Sequence, residues 1–141
     1  MKQQAKTTKQ KVLIAEDNLL NCKLVCEILN NNEIDYDVAE NGKIALDLYL
    51  SRKYDLILMD IQMPIMNGIE CTKKIREFEQ KSKISSPIPI VAVTAFASEN
   101  DKKNCFSAGM TYFLPKPFKS VNLIEVVSKF IEVNEFHNSA Y

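Results

Sequence analysis

Glycine is scarce in this chain, with three in 141 residues. None falls in a G-x-G-x-x-G pattern after the first apolar run, which excludes a dinucleotide-binding loop of the usual kind. Net charge is missing too. Eighteen basic residues balance eighteen acidic ones, so there is no domain-wide basic footprint for direct nucleic-acid binding. No apolar run approaches the ~20 residues of a membrane span, and no direct membrane contact is expected. The opening segment MKQQAKTTKQK has no apolar stretch and is not expected to be a signal peptide. Histidine occurs once, as His137, and none of the four cysteines (Cys22, Cys26, Cys71, Cys105) sits in a C-x-x-C pair. Zinc-site spacing is therefore absent. The cysteines read as reduced packing residues of a cytoplasmic protein, with Cys22 and Cys26 near each other on one helix.

What is present is ordinary for a globular chain: 46% apolar and 26% charged residues. The length suits one domain with a real core. Residues 1–10 form a polar leader with Lys2, Lys6 and Lys9 and no acid, expected to be disordered. Residues 134–141, the polar segment NEFHNSAY, read as a tail in which His137 is solvated.

Between them, over 11–133, short apolar runs alternate with helical patterns. The runs are Val12–Ala15, Tyr36–Ala39, Asp55–Met59, Pro89–Val93 and Thr111–Leu114. Helical spacing follows each: Leu20, Leu24, Val25, Ile28 and Leu29; then Ile44, Ala45, Leu48 and Tyr49; then Ile69, Thr72, Ile75 and Phe78. A fourth helix starts at Ser98 and Asp101, spaced as a capping box, and ends at Ala108-Gly109. The last shows the cleanest period, through Leu123, Val126, Val127, Phe130 and Ile131. Five strand–helix units in strict alternation imply an α/β fold: an open, doubly wound parallel sheet with helices on both faces. Ligands of such sheets bind at the carboxyl ends of the strands, where strand order reverses.

Each strand end delivers a polar residue. Glu16 and Asp17 follow the first run, Asp60 the third, Thr94 the fourth and Lys116 the fifth. Three carboxylates at one edge repel unless a cation neutralises them. With Lys116 they sum to −2, which one divalent ion cancels. Oxygen ligands of this kind suit Mg²⁺, with Mn²⁺ as a substitute. Asp17 and Asp60 are the expected direct ligands, the backbone carbonyl of Gln62 a third, and Glu16 the holder of a bound water. Asp60 is then placed to attack a phosphoryl group, an established form of covalent chemistry. Lys116 and the Thr94 hydroxyl would hold phosphate oxygens, and the small Ala95 leaves the approach open. Taken singly, each residue has a plain structural reading: a helix cap, a strand end, a solvated lysine. The joint pattern is what carries weight.

The motifs VLIAEDN, LILMDIQMPIMNG, IPIVAVTA and FLPKPF together resemble the receiver domain of two-component response regulators. The resemblance covers about residues 11–133. It implies a single flavodoxin-like (βα)5 domain with a five-stranded parallel sheet in the order 2-1-3-4-5, which is the doubly wound order known for a member of this family. It implies that Asp60 is the phosphoacceptor, that Glu16 and Asp17 surround Mg²⁺, that Thr94 is the switch hydroxyl and Lys116 the site lysine, and that the Lys116-Pro117 bond is cis. Phe113 takes the aromatic switch position. As a phenylalanine it has no hydroxyl, so its rotamer is expected to rest on packing alone. EDNLLN and MDIQMPIMNG look like receivers of hybrid histidine kinases or their phosphorelay partners.

The implied role is a phosphorylation-dependent signalling switch, not an enzyme, although such domains assist their own phosphorylation and dephosphorylation. Its partner would be a histidine kinase or a histidine phosphotransfer protein that supplies the histidine in trans, and the domain itself a monomer or weak dimer. A haloacid-dehalogenase-like phosphatase would want a second Asp two residues after Asp60, where Gln62 stands. A degenerate receiver serving only as a binding module is disfavoured by the complete set of Glu16, Asp17, Asp60, Thr94 and Lys116. The chain beyond Val133 is too short for a DNA-binding output domain, which fits either a stand-alone regulator or a receiver from a longer protein.

Overall fold

A computed structural model describes residues 9–133. Most of the expected leader, and the whole expected tail with His137, lie outside the described residues. Strand and helix alternate five times: β1 (Lys11–Ala15), α1 (Leu19–Asn31), β2 (Asp35–Ala39), α2 (Gly42–Ser51), β3 (Leu56–Met59), α3 (Gly68–Lys81), β4 (Ile90–Thr94), α4 (Glu99–Ala108), β5 (Tyr112–Pro115) and α5 (Ser120–Val127). Every pairing is parallel and the order is β2-β1-β3-β4-β5. This is the expected doubly wound sheet, with its order reversing between β1 and β3.

Alternate side chains of each central strand point to opposite faces. Val12 and Ile14, Leu56 and Leu58, and Val91 and Val93 join one core, closed by Val25, Ile28 and Leu29 of α1 and Leu123, Val126 and Val127 of α5. Leu13 and Ala15, Ile57 and Met59, and Ile90 and Ala92 join the other, closed by Ala45 of α2, Cys71 and Ile75 of α3 and Cys105 of α4. Each large aliphatic side chain so buried contributes ~1.5–3 kcal/mol. A strand buried on both faces has no room for a charge, so the first tolerable place for an acid is its carboxyl end.

Helix starts follow from short polar side chains. The Asn41 side chain accepts from the Ile44 N–H at 2.9 Å, and Asn67 and Ser98 close capping boxes with Glu70 and Asp101. Helix α4 stops at Gly109, whose φ of 108° disfavours any side chain. The Arg76 side chain lies where a Cβ there would project.

Two helices differ from their spacing. The row Leu20, Leu24, Ile28 of α1 runs from 77% to 45% to 4% exposed. Leu20 and Leu24 are exposed along with Leu19, although the period places them with Ile28. Helix α5 ends at Val127, not at Ile131. Turn geometry carries Phe130 and Ile131 onto the same core, so apolar spacing continues where helical hydrogen bonding does not.

One buried acid lies away from the strand ends. Glu79 of α3 accepts from Arg76 Nη1 at 2.7 Å, Tyr49 Oη at 3.1 Å and the Ile88 N–H at 2.8 Å. Arg76 also donates from Nε to the Gly109 carbonyl at 2.9 Å. The cluster ties α2, α3, the lead-in to β4 and the end of α4. Burial and the nearby Glu79 charge push the Tyr49 hydroxyl up to about 12.

Candidate functional site

The sheet ladder itself brings the acids together. Strands β1 and β3 are neighbours, with Ala15 opposite Met59. Glu16 and Asp60 are the next residues along, and the Asp60 N–H donates to the Ala15 carbonyl at 3.0 Å. On the other side, Thr94 is opposite Pro115, and the Lys116 N–H donates to the Thr94 carbonyl at 2.8 Å. Lys116 thus enters from the far strand one step past the hydroxyl. The Lys116-Pro117 bond is cis.

The side chains complete a charged cluster. One oxygen from each of Glu16, Asp17 and Asp60 lies within 4.8 Å of the others. Lys116 Nζ is 2.6 Å from Glu16 Oε1 and 3.6 Å from Asp60 Oδ2. Glu16 Oε2 also accepts from the Asn18 N–H at 3.1 Å, and Asp60 Oδ1 from the Ile61 N–H at 2.8 Å. Glu16 and Asp60 are buried while Asp17 is exposed. Burial first, and then the charge of Glu16, push the Asp60 carboxyl up to about 6, with Lys116 pulling the other way.

The cluster opens on a pocket of about 460 Å³ lined by Glu16, Asp17, Asp60, Gln62, Ala95, Phe96 and Lys116, among others. Thr94 stands behind it, fully buried, its hydroxyl accepting from the Phe96 N–H at 3.1 Å. Gly68 packs directly against the Asp60 backbone. A Cβ there would collide with the Asp60 carbonyl, so the turn from Asp60 into α3 closes only over glycine. The oxygen donors fit a hard divalent cation: hard ligands, net negative charge and an open side for water.

Phe113 is half-buried, and packing is not its only hold. The Lys102 ammonium sits 5.8 Å from its ring centroid, within reach of a cation–π attraction. The spacing of apolar residues gave no sign of that pair, because it joins α4 to β5. The Arg76–Glu79 cluster was equally hidden, its one signal being that Glu79 continues the buried row of Thr72 and Ile75.

A parallel doubly wound sheet with an acidic cluster at its switch point defines a class of phosphate- and metal-handling folds. The sequence narrows it: the chain belongs to the response regulator receiver domain family, whose model matches residues 12–128. It is 44% identical over 125 residues to hybrid signal transduction histidine kinase K of Dictyostelium discoideum, a match covering 86% of this chain and 10% of that protein. The chain therefore spans about a tenth of that relative's length. The receiver domain of Ssk1 from Saccharomyces cerevisiae, solved with the histidine phosphotransfer protein Ypd1, superposes with a TM-score of 0.82 at 34% identity, covering 86% of this chain and 88% of that one. The receiver domain of sensor histidine kinase PA1611 from Pseudomonas aeruginosa, solved with magnesium coordinated in its active-site cleft, has a TM-score of 0.77 at 32% identity and covers 87% and 98%.

Proposed function

We propose that this chain is a phosphorylation-dependent switch in a two-component phosphorelay, in which Asp60 accepts a phosphoryl group from a histidine of a partner kinase or phosphotransfer protein. The observation that carries this reading is the triad of carboxylate oxygens within 4.8 Å, with the Lys116 ammonium beside it, at the mouth of an open pocket. Glu16, Asp17, Asp60 and the Gln62 carbonyl would hold Mg²⁺, which when bound offsets negative charge on the carboxylates and on phosphate oxygens.

The chain's own residues do the rest. Asp60 supplies the nucleophilic oxygen, and a carboxyl with a value of about 6 is mainly ionised at neutral pH. As the new phosphorus–oxygen bond forms, the phosphorus–nitrogen bond to the donor imidazole breaks, and the electron pair leaves with the nitrogen. Lys116 and the Thr94 hydroxyl take phosphate oxygens, and Ala95 keeps the approach clear. The protein is altered by its own reaction, so it acts as a regulator with self-assisted phosphorylation and dephosphorylation rather than as a turnover enzyme.

The product carries ~1.5–2 added negative charges at one carboxylate. Movement of Thr94 and repacking of Phe113 would pass that change to the surface of α4, β5 and α5. That surface exposes Phe106, Tyr112 and Val121. The described residues hold no helix long and apolar enough to cross a membrane, and their four cysteines are free. The test is transfer from histidine-phosphorylated yeast Ypd1 to the purified chain. Label on Asp60 is expected with Mg²⁺ present, and none when EDTA is present from the start. Label that survives Asp60→Asn would refute the assignment.

A further inference from the structure

Two thiols stand side by side on α1, and the phosphotransfer chemistry uses neither. Cys22 and Cys26 are one helical turn apart, with their sulfurs 3.9 Å from each other. Both are free and half-buried, whereas Cys71 and Cys105 are buried and sit on different helices. Such a pair can be inert packing, a disulfide in waiting or a shared ligand.

A disulfide does not fit the helix. It needs β-carbons ~3.8 Å apart, while residues one turn apart on a helix hold them at roughly 5–6 Å. Closing the bond would unwind a turn of α1, whose Val25, Ile28 and Leu29 are anchored in the core. The thiols are not primed for oxidation either. Burial, and then Cys26 itself, push the Cys22 thiol up to about 11, and the thiolate is the form that oxidants attack.

A bridging metal ion does fit. Two sulfur–metal bonds of ~2.3 Å span the 3.9 Å gap at an angle of roughly 115°, with the helix intact. The negative charges of Glu16 and Glu40 are felt at Cys22 as well, so the surroundings favour an added cation over an added anion. Among the described residues, no further His, Cys, Asp or Glu joins the pair as a third ligand. That excludes a structural zinc site, which takes four. It leaves a soft ion that thiolates select and that is content with few ligands, and Cu(I) is such an ion.

We propose that Cys22 and Cys26 form a dithiolate site for Cu(I) on α1. Two S–H protons pass to solvent as two sulfur–copper bonds form, and no electron is transferred. The ion would staple the turn in which the Cys22 N–H donates to the Asn18 carbonyl at 2.9 Å and the Asn18 N–H donates to Glu16 Oε2 at 3.1 Å. The site therefore lies beside the acidic cluster without sharing a ligand with it, and it stands independently of the phosphotransfer reading.

The reduced chain is incubated without oxygen with Cu(I) held at a fixed level by a chromogenic chelator, and bound metal is counted by native mass measurement. Wild type should retain a single copper, and Cys22→Ser and Cys26→Ala none at the same copper level, with circular dichroism checking that each variant is folded. A second reading uses wild type alone. Bound Cu(I) should block alkylation of Cys22 and Cys26 by iodoacetamide, located by peptide mass, and the same concentration of Zn²⁺ should not. Copper retained by either folded variant overturns the proposal. So does alkylation of Cys22 and Cys26 that copper leaves unchanged, a result that holds even if the variants misfold. Equal protection by Zn²⁺ overturns the assignment to a soft ion of few ligands. A Cys22–Cys26 disulfide formed in the folded chain by dilute hydrogen peroxide overturns the geometric argument and makes the pair a redox site instead.

Discussion

Replacing Asp60 by asparagine should make the metal-free protein more stable at neutral pH. The structure holds Asp60 buried beside Glu16, with its carboxyl pushed up to about 6 from an ordinary 3.8. Below the ordinary value, folded and unfolded chains both hold the proton, and the residue costs nothing. As pH rises from about 4 to about 6 the unfolded chain releases its proton first, and folding loses free energy. Above about pH 6 the full penalty is present, ~3 kcal/mol from the distance between the two values. Asparagine removes that charge. Its side-chain oxygen can still accept the Ile61 N–H, and Lys116 keeps its closer partner, Glu16. A gain of ~1–3 kcal/mol is expected at about pH 7.5, shrinking to roughly a third of that at about pH 4.5. Urea unfolding with EDTA present, at both pH values, measures it. Added Mg²⁺ should stabilise wild type by mass action and Asp60→Asn much less. A variant less stable than wild type at neutral pH, or a gain of equal size at both pH values, would show that the acidic cluster is not strained by its own charge.

Two other expectations concern the pocket wall and the buried cluster far from it. Phe96 lines the pocket beside Gln62 and presents an apolar ring where an attacking water would approach, so Phe96→Glu should hasten loss of the phosphoryl group several-fold, read as decay of label after donor removal; an unchanged decay rate counts against a shielding role. Glu79→Gln should cost ~1–3 kcal/mol in urea unfolding, because Arg76, Tyr49 and the Ile88 N–H lose a charged acceptor, and labelling of Asp60 should survive; a loss of labelling in a folded variant would tie that cluster to the site.

Strand–helix alternation was legible because apolar runs and helical periods are local signals. The sheet edge was legible because a chain that leaves a strand buried on both faces can place a charge only at its end. Glu16, Asp60, Thr94 and Lys116 follow that logic one by one. The features that spacing did not reveal are those set by what lies opposite. Leu20 and Leu24 share a row with Ile28, but only Ile28 is buried. Phe130 and Ile131 keep the apolar rhythm of α5 after its hydrogen bonds end. Lys102 reaches Phe113 across two elements.

The central claim, that Asp60 accepts a phosphoryl group, is tested most directly by intact-mass measurement after incubation with acetyl phosphate and Mg²⁺. Wild type should gain the mass of one phosphoryl group, and Asp60→Asn none. No added mass on wild type, or the same gain on both, would contradict it.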